Sequence, residues 1–221
     1  DVRSYIQNKL GNKSPIQKLY YIESSFRRER PQKGRQRQFT QYGIEALGSE
    51  NPEQDIEIIM IAFRLYQMLG LKDMEVNINC IGSQNARLKY VKSLKQFLTP
   101  FKNDLSDISK QRLDTNPLRI LDSKSTKDKK IIESVPSILD YLAKADKNNF
   151  DTIKNALLKL NIPYKVNTKL VRGLDYYNGM TFEITSNSIG SQSALCGGGR
   201  YDKLVKYLGG KPTPAVGFAA G

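Results

Sequence analysis

Polar and apolar residues alternate from Phe39 to Ala46, and a two-residue period of this kind marks a strand with unlike faces. Phe39, Gln41, Gly43 and Glu45 fall on one face, where the glycine would leave open space between Gln41 and Glu45. Thr40, Tyr42, Ile44 and Ala46 fall on the other, more apolar face, which suits a covering helix. A β-like run from Tyr20 to Ser25 precedes it, and Pro31 and Gly34 punctuate the segment between, so the stretch Lys18 to Gly48 predicts strand, loop, strand.

Helical spacing takes over elsewhere. Val2 and Ile6 predict a short helix over residues 2–9, ended by Gly11-Asn12. Asn51-Pro52-Glu53 supplies an N-cap, a proline at the first helical position and early acids; Ile56, Met60, Phe63 and Tyr66 follow, with Gly70 as the stop. Met74 to Ile81 alternates Val76, Ile78 and Cys80 against Glu75, Asn77 and Asn79, the pattern of a half-buried strand with Cys80 as an inert core residue. From Gly82 to about Pro163 the chain is lysine-rich and poor in strand signals. Helices are expected at ARLKYVKSLKQFL, VPSILDYL and FDTIKNALLKL, with a loop around NPLRILDSKSTKDKK.

Strand patterns resume over Lys165 to Arg172 and Met180 to Thr185, separated by a GLDYYNG loop. A short strand, Ser193 to Cys196, is expected to turn at Gly197, Gly198 and Gly199 into a helix from Tyr201 to Leu208, and Pro212 to Gly217 returns as a strand. The three glycines would permit close backbone approach to a ligand. The fold class is therefore α+β: a sheet domain in two parts, residues 1–82 and 164–221, interrupted by a mostly helical insertion, 83–163.

Charge adds direction. A net +13 and a pI near 9.6 point to an anionic partner, nucleic acid before membrane. Six cations, Arg27, Arg28, Arg30, Lys33, Arg35 and Arg37, crowd eleven residues of the hairpin loop. Such density favours phosphate contacts, although a solvated loop has the same composition. With Phe39, Gln41 and Glu45 on one strand face, the site would hold a flat ring and a phosphate near Phe39 and the arginines, and a small cationic group near Glu45. The chain has no histidine, which excludes a histidine base, a Ser-His-Asp triad and a His-ligated metal. Cys80 and Cys196 form neither a disulfide framework nor a zinc pair, so a reducing, cytoplasmic compartment is expected. The longest apolar run, Ile58 to Phe63, is far too short to span a membrane. Beginning at DVRSYI without a methionine, the chain reads as part of something longer.

Two stretches carry a family resemblance. FRRERPQKGRQRQFTQYGIEALG resembles motif 2 of a class II aminoacyl-tRNA synthetase, specifically histidyl-tRNA synthetase, and LVRGLDYYNGMTFEI resembles the histidine-binding signature of that enzyme. TNPLRILDSK, SQSALCGGGRYDKLV and PAVGFAAG match the same family in the same order, so the resemblance covers nearly the whole chain. It implies a mixed, mainly antiparallel sheet flanked by helices. It also implies activation of histidine by ATP, with Mg2+ carried on the phosphates, and transfer of the histidyl group to tRNA by a cytoplasmic homodimer. By position in the motifs, Arg27 would contact the α-phosphate and the histidine carboxylate, Glu29 the adenine, Arg35 the terminal phosphates, and Phe39 would stack on the base. Gln41, Glu45, Tyr176 and Tyr177 would bind histidine, Arg172 would be the catalytic cation, and Gly197 to Gly199 would line the pocket.

Thr40 and Gln36 depart from the family pattern, where many members carry a histidine and an aromatic. Motif 1, the threonine-proline-glutamate loop, the motif 3 arginine and the anticodon-binding domain would lie outside these residues, so the piece alone is expected to be inactive. The alternatives are a non-catalytic synthetase-like regulatory subunit of ATP phosphoribosyltransferase, a synthetase-like RNA-sensing domain, and a generic basic RNA-binding module. Arg27, Arg35, Gln41, Glu45 and Arg172 all stand in place, which favours the enzyme.

Overall fold

The computed structural model describes residues 1–28, 30, 36–171, 176–186 and 194–221. A short helix α1 (Val2–Gln7) precedes the hairpin of β1 (Gln17–Phe26) and β2 (Gln38–Leu47). Helix α2 (Pro52–Met68) and strand β3 (Met74–Cys80) follow. Next come α3 (Gln84–Leu98), α4 (Asp107–Thr115), α5 (Thr126–Ile132) and α6 (Lys144–Lys159). Strands β4 (Tyr164–Val166), β5 (Met180–Ser186) and β6 (Ala194–Arg200), the single-turn helix α7 (Leu204–Tyr207) and β7 (Ala215–Ala220) complete the order.

All seven strands form one sheet in the order β1-β2-β7-β6-β5-β3-β4. Neighbours are antiparallel except β3 and β4, which run parallel. The mainly antiparallel α+β class expected from the sequence is what is found. One sheet face carries Ala46, Val76, Ile78, Phe182, Ile184, Val216 and Phe218 into a core with Ile58, Ile59, Ala62 and Phe63 of α2 and Phe150, Ile153 and Leu157 of α6. The unlike faces of β2 thus sort as their period dictates: Tyr42, Ile44 and Ala46 pack in this core. On α2 the most buried positions are Ile58, Ile59 and Ala62 beside the expected Phe63 and Tyr66, while Ile56 and Met60 are half-buried.

A second apolar cluster joins Tyr90, Leu94 and Leu98 of α3 to Leu113, Leu118, Ile120, Ile132 and Ile138. At its edge lies Asp128, a fully buried carboxylate. It accepts bonds from the Ser106 backbone N–H (2.8 Å) and the hydroxyls of Ser106 (2.7 Å), Ser109 (2.7 Å) and Ser123 (2.5 Å). Burial alone would raise its pKa, but these donors outweigh that and hold it down to about 2.

Six sequence expectations are corrected. Strand β4 ends at Val166 instead of continuing to Arg172. Beyond it the carbonyls of Thr168 and Leu170 bond the Asn79 side chain in place of a strand neighbour, and Arg172 lies outside the described residues. Gly197, Gly198 and Gly199 do not turn: they run through β6, paired with β5 on one side and β7 on the other. The close approach they permit is to the next strand, since a methyl group at 198 would collide with the Gly217 carbonyl. The helix expected over 201–208 shrinks to α7, and the last strand starts at Ala215, after Pro212 and Pro214, which lack the N–H a ladder requires. In the lysine-rich segment, Thr126–Ile132 is helical instead of loop, and VPSILDYL contains only a 3₁₀ turn, Ile138–Tyr141.

Candidate active site

The polar face of the β1–β2 hairpin, with β6 and β7, floors a cavity of about 860 Å³. Of the residues expected at a site, Arg27, Phe39, Gln41, Glu45, Tyr176, Tyr177 and Gly197 line it; Gly198 and Gly199 do not. Glu29, Arg35 and Arg172 lie outside the described residues, as does Lys33.

At the loop end, the Arg27 backbone N–H bonds the Arg37 carbonyl (2.8 Å) and its Nε bonds the Gln36 carbonyl (2.8 Å). Its guanidinium carbon lies 4.3 Å from the centroid of the Phe39 ring. A cation seated on an aromatic face is an attractive contact, and it makes a platform of ring and charge suited to an aromatic base bearing phosphate.

At the other end stands Glu45, half-buried, and pushed up to about 7 because desolvation penalises its charge more than the Tyr201 hydroxyl bonded to it compensates. A methyl group at residue 217 would collide with its carboxylate, so Gly217 is the position that leaves Glu45 room. Tyr201 also meets Tyr176 and Tyr177 edge-on, at centroid distances of 5.7 and 6.2 Å, and those two rings lie 4.7 Å apart. Tyr201 thus joins the carboxylate to a cluster of three tyrosines.

Between the ends, Gln41 Nε2 donates to the Tyr21 hydroxyl (3.2 Å). The space over Gly43 is not open, as the strand pattern implied. The Tyr21 ring fills it, where any side chain at 43 would clash. Burial and the nearby Glu45 charge raise the Tyr21 pKa. Tyr21, Glu183 and Tyr201 are lining residues that periodicity missed. Tyr201 carried one signal, its place in the GGGRYDK string, but a helix start was expected there.

Beneath the sheet, Arg200 fixes this end of the fold. Its Nε bonds both Asp55 oxygens (3.1 and 3.0 Å), and its terminal nitrogens reach Asp202 (3.1 Å) and the carbonyls of Ser49 (2.9 Å) and Asn51 (3.3 Å). It thereby ties β6 to the start of α2, next to Tyr201.

A family model for histidyl-tRNA synthetase matches residues 3–221. The chain belongs to the histidyl-tRNA synthetase family. It is 50% identical over 220 residues to a histidine–tRNA ligase of Picosynechococcus sp. and 49% identical over 223 residues to one of Streptococcus pyogenes, in each case along its whole length. It spans about half of these histidyl-tRNA synthetase relatives, 52% of each. Among solved structures, the apo histidyl-tRNA synthetase of S. aureus superposes with a TM-score of 0.75 at 36% identity, covering 99% of this chain and 52% of that one. A Bacillus halodurans structure, described as an ATP phosphoribosyltransferase regulatory subunit/histidyl-tRNA synthetase, shares the fold (TM-score 0.66) at 21% identity, over 99% of this chain and 60% of that one.

Proposed function

We propose that the full-length protein carrying this chain is a histidine–tRNA ligase. A histidine carboxylate oxygen attacks the α-phosphorus of ATP, the bond to the β-phosphate oxygen breaks, and pyrophosphate leaves. The 3′-terminal hydroxyl of the tRNA then attacks the histidyl carbonyl and releases AMP. In-line displacement of this kind is catalysed by positioning and charge stabilisation, so a chain without histidine is equipped for it.

The observation that carries the reading is the polarity of the cavity. Arg27 over Phe39 forms one end, and Glu45 joined to the tyrosine cluster forms the other. The base stacks on Phe39, and Arg27 meets the α-phosphate. Glu45, tuned near 7, shares a proton with an imidazole whose ordinary pKa is about 6.5. Gln41, Tyr176 and Tyr177 complete histidine recognition. Glu29, Arg35 and Arg172 take the adenine, terminal-phosphate and catalytic roles their motifs imply. Mg2+ arrives on the nucleotide phosphates, as part of the substrate.

Residues 83–163 are inserted in sequence between the two halves of the sheet domain, with α6 packed back on the sheet core, and the lysines of the insertion face the acceptor end of the tRNA. Charge reversal of these lysines is expected to lower aminoacylation while leaving adenylate formation intact. The protein works in the cytoplasm as a homodimer. Supporting assembly, Tyr20 (77%), Ile22 (68%) and Phe26 (74%) stand exposed along one face of β1, an apolar stripe that calls for a cover. No helix among the described residues is long and apolar enough to cross a membrane.

The test is histidine-dependent ATP–pyrophosphate exchange by the full-length protein, wild type beside Arg172→Ala. Exchange that requires histidine and collapses in the variant is expected. Folded wild-type protein without exchange would point instead to a regulatory subunit that senses histidine.

A further inference from the structure

Tyr177 packs against two separate apolar clusters. With Tyr176 it lies on the cluster of Val2 and Tyr5 of α1, Leu47, Tyr201 and Val205. There its ring centroid is 4.7 Å from that of Tyr176 and 6.2 Å from that of Tyr201, and it lines the cavity. The same half-buried side chain also packs on the second cluster, the core of the insertion. That core includes Tyr90 and Leu94 of α3, and Leu118, Ile120 and Leu121 of the TNPLRILDSK string. Ile81, just past the end of β3, joins it from the sheet domain.

The backbone is joined at the same place. The Ile81 N–H bonds the Gly179 carbonyl (2.8 Å) and the Gly179 N–H bonds the Gly82 carbonyl (3.2 Å), beyond the last β3–β5 pair, Cys80 with Met180. Gly179 stands two residues after Tyr177, and Gly82 is the residue from which the insertion departs. Gly82 and Gly179 have positive φ, 63° and 73°, a conformation that other residues adopt only with strain. A methyl group at 82 would in addition collide with Leu142. The junction is therefore fixed in its side chains and in its backbone. Protein interiors are close-packed, so a ring lodged between two cores shifts when either core loses volume.

We propose that the core of the insertion is a positioning element for histidine recognition: with Ile81 and Gly82 at its junction, it holds Tyr177 in place on the cavity. The inference rests on the histidine-site reading given above. It adds that residues of the insertion with no place in the cavity lining set the affinity for the amino acid. The TNPLRILDSK string gains a role by the same argument, since Leu118, Ile120 and Leu121 are buried in that core and act on the substrate through Tyr177.

Histidine titration calorimetry and pyrophosphate exchange on the full-length protein test it. Leu94→Ala thins the insertion core within α3, and Ile81→Ala thins it at the junction. Each is expected to raise the histidine Kd and KM about ten-fold, while the ATP KM changes less than about two-fold. Ile81→Val puts folding least at risk and is expected to raise the histidine Kd and KM about three-fold. Ile59→Ala thins the cluster under α2 instead, and is expected to lower the melting temperature with the histidine KM unchanged. In a Tyr177→Ala background the insertion variants are expected to change the histidine Kd and KM less than about two-fold, because the ring through which they act is gone. Histidine affinity unchanged in the insertion variants, with only the melting temperature and active fraction lowered, marks a purely structural core and overturns the proposal. So does an equal rise in Ile59→Ala, or a rise that persists in full without the Tyr177 ring. Any of these results with wild-type exchange intact leaves the ligase reading standing. Wild-type binding without exchange, with the expected pattern of affinities, overturns the ligase reading and supports the positioning role. Wild-type protein that neither binds nor exchanges overturns both.

Discussion

Glu45 releases its proton near pH 7 in the folded chain, against an ordinary value of 4.5, because it is half-buried and its bond from Tyr201 offsets only part of the desolvation. A folded-state pKa above the unfolded one favours folding while the group is protonated. That contribution is complete below about pH 4.5 and is lost as pH rises through 7. Glu45→Gln, which has no charge to bury, is therefore expected to raise the stability of the free protein at pH 8 by about 2 kcal/mol in urea melts, and to raise the histidine KM by about a hundred-fold. Parity between the variant and wild type at pH 8 would contradict the burial argument. Phe39, Gln41 and Glu45 were legible as one face because a strand's period is local. Tyr21 and Tyr201 were not. Tyr21 enters by cross-strand register with Gly43, and Tyr201 lies 156 residues from the carboxylate it bonds. No window along the sequence contains both partners.

Among the elements, β6 shows how glycine misleads. A run of three glycines reads locally as a turn, yet here it forms a central strand whose bare backbone lets β7 lie close. Gly198→Ala drives a methyl into the Gly217 carbonyl and is expected to cost about 2 kcal/mol, read as a lower urea midpoint with an unchanged slope. The helix α2 was readable from its Asn-Pro-Glu start and apolar spacing. The helix α5 was not, because its seven residues TKDKKII present little apolar period. What fixes α5 is Asp128, which gathers three serine hydroxyls from outside that helix. Its pKa is lowered from 3.8 to about 2, so its stabilising contribution is present above 3.8 and is lost as pH falls through 2. Asp128→Ala is expected to cost about 3 kcal/mol at pH 7 and to abolish the part of acid unfolding that falls in that window, as followed by circular dichroism. Equal acid sensitivity in variant and wild type would rule out this role.

For the whole molecule, the sheet is the frame on which distant pieces of the site converge. The cavity draws on β1, β2, β6 and β7, and on the tyrosines that follow β4. Arg200 holds the underside of that convergence through Asp55 and Asp202. Arg200→Ala leaves the Asp55 carboxylate buried without its cation, and is expected to cost about 4 kcal/mol or to prevent folding, as judged by thermal melts. The order of strands in the sheet was not legible, because β7 inserts between β2 and β6 through pairings far apart in sequence. The fold class and the family were legible, because motifs carry that information in short strings.

The central claim is that the Glu45 end of the cavity receives histidine for activation by ATP. The measurement that meets it most directly is ATP–pyrophosphate exchange by the full-length protein, wild type beside Glu45→Gln, across a range of histidine concentrations. The account predicts exchange that depends on histidine in the wild type, and in the variant a histidine KM about a hundred-fold higher with the ATP KM unchanged. Exchange with the same histidine KM in both proteins would contradict it.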